Sequence, residues 1–126
     1  MTKIILTDGA PWARANVDRL VDPYRSGVER EWSTVGSLLL EDELGTSVAL
    51  TLYEPFVVNL PGGRFTPDFL HILDDGRLVF CEVKVSKRQK NYRDARSKLR
   101  AAACLHPWAL WLEARRPRGN WEIEVL

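Results

Sequence analysis

The chain has 126 residues, 45% of them hydrophobic and 28% charged, a mix that suits one globular domain, 1–126, and is too apolar for a disordered chain. No apolar run approaches the ~20 residues that a membrane helix needs, which argues against a membrane role. Eighteen Lys and Arg stand against seventeen Asp and Glu, and the resulting net charge of +1 speaks, taken alone, against a strongly basic nucleic-acid binder.

Residues 1–23 read as an arm that packs on the domain or on a second subunit. Ile4-Ile5-Leu6 suits a short strand, and Ala10 to Val21 a helix that ends before Pro23. The opening MTKIILTDGA lacks the pattern of a signal peptide. Cys81 and Cys104 are too few for a disulfide scaffold and read as two buried free thiols of a cytoplasmic protein.

From Ser26 the pattern is helical. Val28, Trp32, Val35 and Leu39 lay one apolar stripe along the helix. Ser26 suits the N-cap, Glu29 stands where a capping-box carboxylate belongs, and Gly45 stops the helix after Leu44. Gly36 weakens the helix or allows a close contact.

Strands follow. Val48 to Asn59 reads as one, with Pro55 as a bend or edge marker. Pro61-Gly62-Gly63 is a turn, Arg64 to Leu73 a second strand, and Asp74-Asp75-Gly76 a tight hairpin. Leu78 to Val85 is a third strand, apolar enough to be central and buried on both faces. Gln89 to Leu105 returns to a helix, with Tyr92, Ala95, Leu99, Ala102 and Leu105 as its stripe and Pro107 behind it. Trp108 to Glu113 is a fourth strand, Arg115 to Asn120 a basic loop, and Trp121 to Val125 a last strand. The expected fold is α/β, a mixed sheet of four to five strands flanked by helices in the order αβββαβ. The five tryptophans, Trp12, Trp32, Trp108, Trp111 and Trp121, read mainly as core, His71 as structural or exposed rather than catalytic, and His106 as a helix cap.

The charge is unevenly placed. Residues 1–83 carry seven basic and thirteen acidic side chains, residues 84–126 eleven and four. Lys84, Lys87, Arg88, Lys90, Arg93, Arg96, Lys98 and Arg100 fall within 17 residues that hold one acid, Asp94. Arg93, Arg96 and Arg100 at i, i+3 and i+7 predict an outward basic face, with Arg115, Arg116 and Arg118 as a second strip. Such a face either solubilises a helix or holds a polyanion.

The acids beside it make the polyanion chemically interesting. Glu82 and Lys84 lie two apart on a strand, so both point to one face, while Cys81 and Val83 point to the other. A tight 74–76 hairpin pairs positions whose numbers add to about 150, and this sets Asp68 opposite Glu82. Two carboxylates from neighbouring strands suit a hard cation such as Mg²⁺, with Mn²⁺ as a substitute. Such a cation polarises a phosphodiester and acidifies a bound water. A lysine beside it orients or deprotonates that water, or neutralises developing charge. A plain surface salt bridge of Lys84 with Glu82 or Asp68 is the bland alternative.

Phe65-Thr66-Pro67-Asp68-Phe69 followed by Phe80-Cys81-Glu82-Val83-Lys84 resembles the PD-(D/E)XK nuclease superfamily, with its restriction-endonuclease-like core. Tyr24-Arg25-Ser26-Gly27-Val28-Glu29 is similar to the (F/Y)RSGxE start of the first helix in phage endonuclease I-type Holliday-junction resolvases, and Tyr53-Glu54-Pro55 to the strand before their TPDF motif. The resemblance covers residues 24–107. It implies that Asp68 and Glu82 hold metal with the carbonyl of Val83, that Lys84 is the catalytic lysine, and that Glu29 is a fourth acidic residue and possible ligand. It places Arg25 and Ser26 by the scissile phosphate or at the helix cap. It further implies a homodimer acting on branched DNA. The same signature resembles transposon-end nucleases and small phage nickases, and a non-catalytic DNA-binding or assembly subunit is the reading from another class.

Overall fold

The computed structural model describes residues 13–15, by their backbone, and residues 23–126. In chain order the elements are β1 (Ala13–Ala15), α1 (Gly27–Leu44), β2 (Val48–Tyr53), β3 (Phe56–Leu60), β4 (Gly63–Phe65), β5 (Phe69–Leu73), β6 (Leu78–Lys84), α2 (Tyr92–Leu105), β7 (Leu110–Arg115) and β8 (Glu122–Val125), with a 3₁₀ turn at Pro117–Gly119. Five strands form one sheet in the order β2-β5-β6-β7-β8; β1, β3 and β4 form a small second sheet. In the large sheet only β6 and β7 run parallel. Among the described residues the fold is therefore mixed α/β, with two helices on a mixed five-stranded sheet. No described helix is long and apolar enough to cross a membrane.

Alternation along β5 and β6 builds two cores. Phe69, Leu73, Val79, Cys81 and Val83 face α1 and pack with Trp32 and Leu40. Leu70 and Phe80 face the other way and pack with Leu99 and Ala102 of α2, with Trp111, and with Phe56, Val58 and Phe65 of the small sheet. The central β6 thus buries both faces, as its apolar run requires.

The expected ends of α1 are present. Ser26 Oγ accepts the Glu29 N–H at 3.2 Å, and Gly45 closes the helix at φ 72°. Gly36 serves its own helix: a Cβ there would lie 2.6 Å from Cε2 of Trp32. The close approach is between the indole and the helix backbone, four residues apart.

Several expectations need correction. Val48 to Asn59 is two strands, because Glu54 turns into the left-handed region (φ 43°) and Pro55 follows, moving the chain from the large sheet to the small one. Arg64 to Leu73 is likewise two strands, and the chain returns to the large sheet across Thr66-Pro67-Asp68. Helix α2 begins at Tyr92, since Asn91 adopts φ 64°. Arg115 ends β7 instead of opening a loop. Within the expected Ala10–Val21 helix, Ala13–Ala15 is a strand paired with β3; the rest of that segment, the Ile4–Leu6 strand and Trp12 lie outside the described residues. Cys81 is buried as expected, but Cys104 is exposed on α2, and Trp108 is 53% exposed where core was expected.

Candidate active site

The hairpin after β5 holds the register that the sequence anticipates. Phe69 pairs with Cys81 and Ile72 with Leu78, so Asp68, just ahead of β5, comes opposite Glu82. The two acids are tied through the main chain. Val83 N–H donates to Asp68 Oδ2 at 2.7 Å, and Asp68 N–H donates to Glu82 Oε1 at 3.3 Å. Both residues are buried. Lys84 Nζ lies 3.5 Å from Glu82 Oε2, on the same strand face.

Glu29 joins from the head of α1. Its Oε2 accepts the Tyr53 hydroxyl at 2.5 Å and the Arg25 N–H at 3.2 Å. A capping box would send this carboxylate to the N–H of the cap residue; it goes instead to the residue before the cap and to a side chain of β2. Glu29 is therefore steered toward the sheet, and its charge acts on Asp68.

The sequence reading gave no role to Glu54 or Tyr53. Glu54 is buried, its N–H donates to Asp68 O at 2.8 Å, and its Oε2 lies 3.5 Å from Arg25 Nε. An acid at the end of an apolar, β-rich run and just before proline was the available signal.

Electrostatics set the character of the site. Burial, then the charges of Glu82 and Glu29, hold the Asp68 carboxyl well above the usual carboxylate range. Burial also raises Glu82, opposed by Lys84. Burial and the Glu29 carboxylate push the Tyr53 hydroxyl up, so it stays a donor. Asp68 and Glu82 are buried carboxylates in close contact, with Lys84 beside Glu82 and Arg25 beside Glu54. Crowded, desolvated carboxylates suit a hard divalent cation. Among the described residues no group of three or more His, Cys, Asp or Glu side chains is gathered to hold a metal ion, so such a cation would draw on Asp68, Glu82, main-chain oxygen and water.

No family model, curated protein or solved structure matches this chain.

The basic residues divide into two groups. Lys87, Arg88 and Lys90 are exposed on the turn between β6 and α2; Arg93 and Arg100 are exposed on α2, and Arg118 on its turn. Lys98 pairs with Asp94 at 3.4 Å. Three others are not outward. Arg96, expected beside Arg93, faces the sheet at 13% side-chain exposure and pairs with Glu113 and Glu124. Arg115 is buried against Glu113 and Glu124, 3.1 Å from each. Arg116 Nη1 lies 2.9 Å from Glu31, which also accepts the Trp121 indole N–H at 3.1 Å. For Arg96 and Arg115 the physical reason is Glu113. The parallel register sets it beside Glu82 and sets Arg115 beside Lys84, and a buried carboxylate there requires cations.

Of the two places the sequence leaves open for His71, the structure gives the buried one: the ring is fully buried. It accepts the Trp32 indole N–H at Nε2 (3.0 Å) and its Nδ1 meets Thr51 Oγ1 at 2.8 Å.

Proposed function

We propose that the protein is a metal-dependent DNA endonuclease of the PD-(D/E)XK type, its large sheet and two helices forming a restriction-endonuclease-like core. The observation that carries this reading is the placement of Asp68, Glu82 and Lys84 together on one face of the sheet, with the two acids interlocked through the main chain.

Asp68, Glu82 and the Val83 carbonyl would hold Mg²⁺, for which Mn²⁺ can substitute. When bound, the cation supplies Lewis acidity toward the phosphodiester and lowers the pKa of a bound water. Lys84 orients the attacking water and neutralises charge developing on the phosphate. Glu29, fixed by Tyr53, adds negative charge that favours the cation. Lys87, Arg88, Lys90 and Arg93 continue from the end of β6 and take backbone phosphates without reading bases. Arg96, Arg115 and Arg116 are spent on acids of the protein and are not part of that surface. The preference for branched DNA, and the homodimer that a symmetric four-way junction requires, rest on the RSGxE resemblance of residues 24–29.

The test is cleavage of single-stranded, duplex, flap and four-way-junction DNA with Mg²⁺ or Mn²⁺, wild type against Glu82→Ala. Cleavage by wild type alone is expected. Equal cleavage by both removes these residues from the chemistry. Binding without cleavage in any lane assigns the non-catalytic DNA-binding role instead.

A further inference from the structure

Glu54 is a buried acid that the mechanism above leaves unused. It is 4% exposed and has a left-handed backbone, φ 43°. Each feature has a cost: a desolvated carboxylate, and a conformation that side chains other than glycine rarely adopt. Its N–H donates to Asp68 O at 2.8 Å, which locks it beside the strand carrying the candidate metal ligand. Its Oε2 lies 3.5 Å from Arg25 Nε, while the Arg25 side chain is 69% exposed. An ion pair so open to water adds little stability. Its effect is on position. Arg25 is also tied at its main chain, where its N–H meets Glu29 Oε2 and the Tyr53 hydroxyl, each at 3.2 Å. A long side chain is thus anchored at both ends, on the rim of the acidic site. Engaging Nε leaves the two terminal nitrogens of the guanidinium for phosphate oxygens.

We propose that Glu54 is a positioning residue that holds the Arg25 guanidinium against a phosphate of the bound DNA strand. The inference rests on the nuclease reading for its substrate. Glu54 touches no reacting atom and acts through Arg25.

Wild type, Glu54→Gln, Arg25→Ala and the double variant decide the matter. The readouts are kcat and KM with Mg²⁺ and, separately, the salt dependence of DNA binding in metal-free buffer. Each single variant is expected to raise KM roughly tenfold with a smaller effect on kcat, and to flatten the salt slope by about one phosphate. The double variant should be no worse than Arg25→Ala, because both act on one contact. Wild-type KM and slope in Glu54→Gln, or losses that add in the double variant, overturn the proposal. Arg25 is a surface residue whose removal does not threaten the fold, so an unchanged slope in Arg25→Ala overturns it even where Glu54→Gln fails to fold. A wild type that binds with its full slope but cleaves nothing, while Glu54→Gln flattens that slope, sinks the nuclease reading and leaves the Glu54–Arg25 pair as a DNA contact.

Discussion

Asp68 and Glu82 are held together by each other's main chain: the Val83 amide that follows Glu82 donates to the Asp68 carboxylate, and the Asp68 amide donates to the Glu82 carboxylate. Each acid thereby stays aimed at the other although their charges repel. Holding two buried acids this close carries a cost to the fold.

Asp68→Asn keeps an oxygen for the Val83 amide and removes the charge that burial, Glu82 and Glu29 oppose. Cleavage should fall to background. The melting temperature in metal-free buffer should rise by a few degrees. A drop in melting temperature would mean that the carboxylate stabilises the empty site.

Divalent cation should stabilise the wild type by mass action. Millimolar Mg²⁺ or Mn²⁺ is expected to raise its melting temperature, and Glu82→Ala to abolish that rise. Lys84→Ala should keep the thermal response and lose cleavage, because in the proposed function the lysine acts on water and phosphate and does not ligate. Equal thermal shifts in wild type and Glu82→Ala would place the cation elsewhere.

Arg93 and Arg96 should part company. Arg93→Ala is expected to weaken DNA binding and flatten its salt slope by about one phosphate with the fold intact. Arg96→Ala exposes the buried Glu113 to a deficit of positive charge, and should destabilise by on the order of 3 kcal/mol. Denaturant titration and salt-dependent binding separate the two. Equal effects on binding would return Arg96 to the outward face.

His71 makes stability depend on acid. An indole N–H can only donate, so Nε2 of His71 accepts from Trp32, and the proton sits on Nδ1, facing Thr51. Burial lowers the ring from 6.5 to about 4. The unfolded chain takes up the proton near pH 6.5 and the folded chain near pH 4. Stability is therefore full above 6.5 and is lost as pH falls from 6.5 to about 4, by up to roughly 3 kcal/mol. His71→Gln should flatten denaturation midpoints across that window; a profile parallel to wild type would assign the acid loss to other groups.

Gly36→Ala gains helix propensity of about 1 kcal/mol yet places a methyl 2.6 Å from the Trp32 ring. The ring is sealed by His71 and Trp121 and cannot move aside. A net loss of about 1–3 kcal/mol is expected by thermal melting.

The helix caps, the 74–76 hairpin and its register were legible because each rests on local chemistry: Ser26, Gly45, and a turn whose length fixes the pairing. The split of 48–59 between two sheets was not, because strand patterns do not say which sheet a strand joins; only Glu54-Pro55 and Pro67 mark the breaks. Arg96 was misread. It lies four residues after Tyr92 and three before Leu99, but also three after Arg93 and four before Arg100, so it borders both faces and its acidic partners on β7 and β8 decide where it turns. Glu113-x-Arg115 repeats the spacing of Glu82-x-Lys84, but that echo has meaning only once β6 and β7 are known to be parallel neighbours. Glu54 needed the third dimension, since its partner Arg25 lies 29 positions away, across the start of α1.

The hydrogen bond from Glu54 to Asp68 closes the chain on itself: residues 55–67 leave and re-enter the large sheet at adjoining points. That excursion behaves as a cassette. Its tip at Pro61-Gly62-Gly63 can lengthen or shorten at little entropic cost, provided Phe56, Val58 and Phe65 still fill the core. Variation there would reshape the outer edge of the small sheet while leaving Asp68 fixed relative to β2.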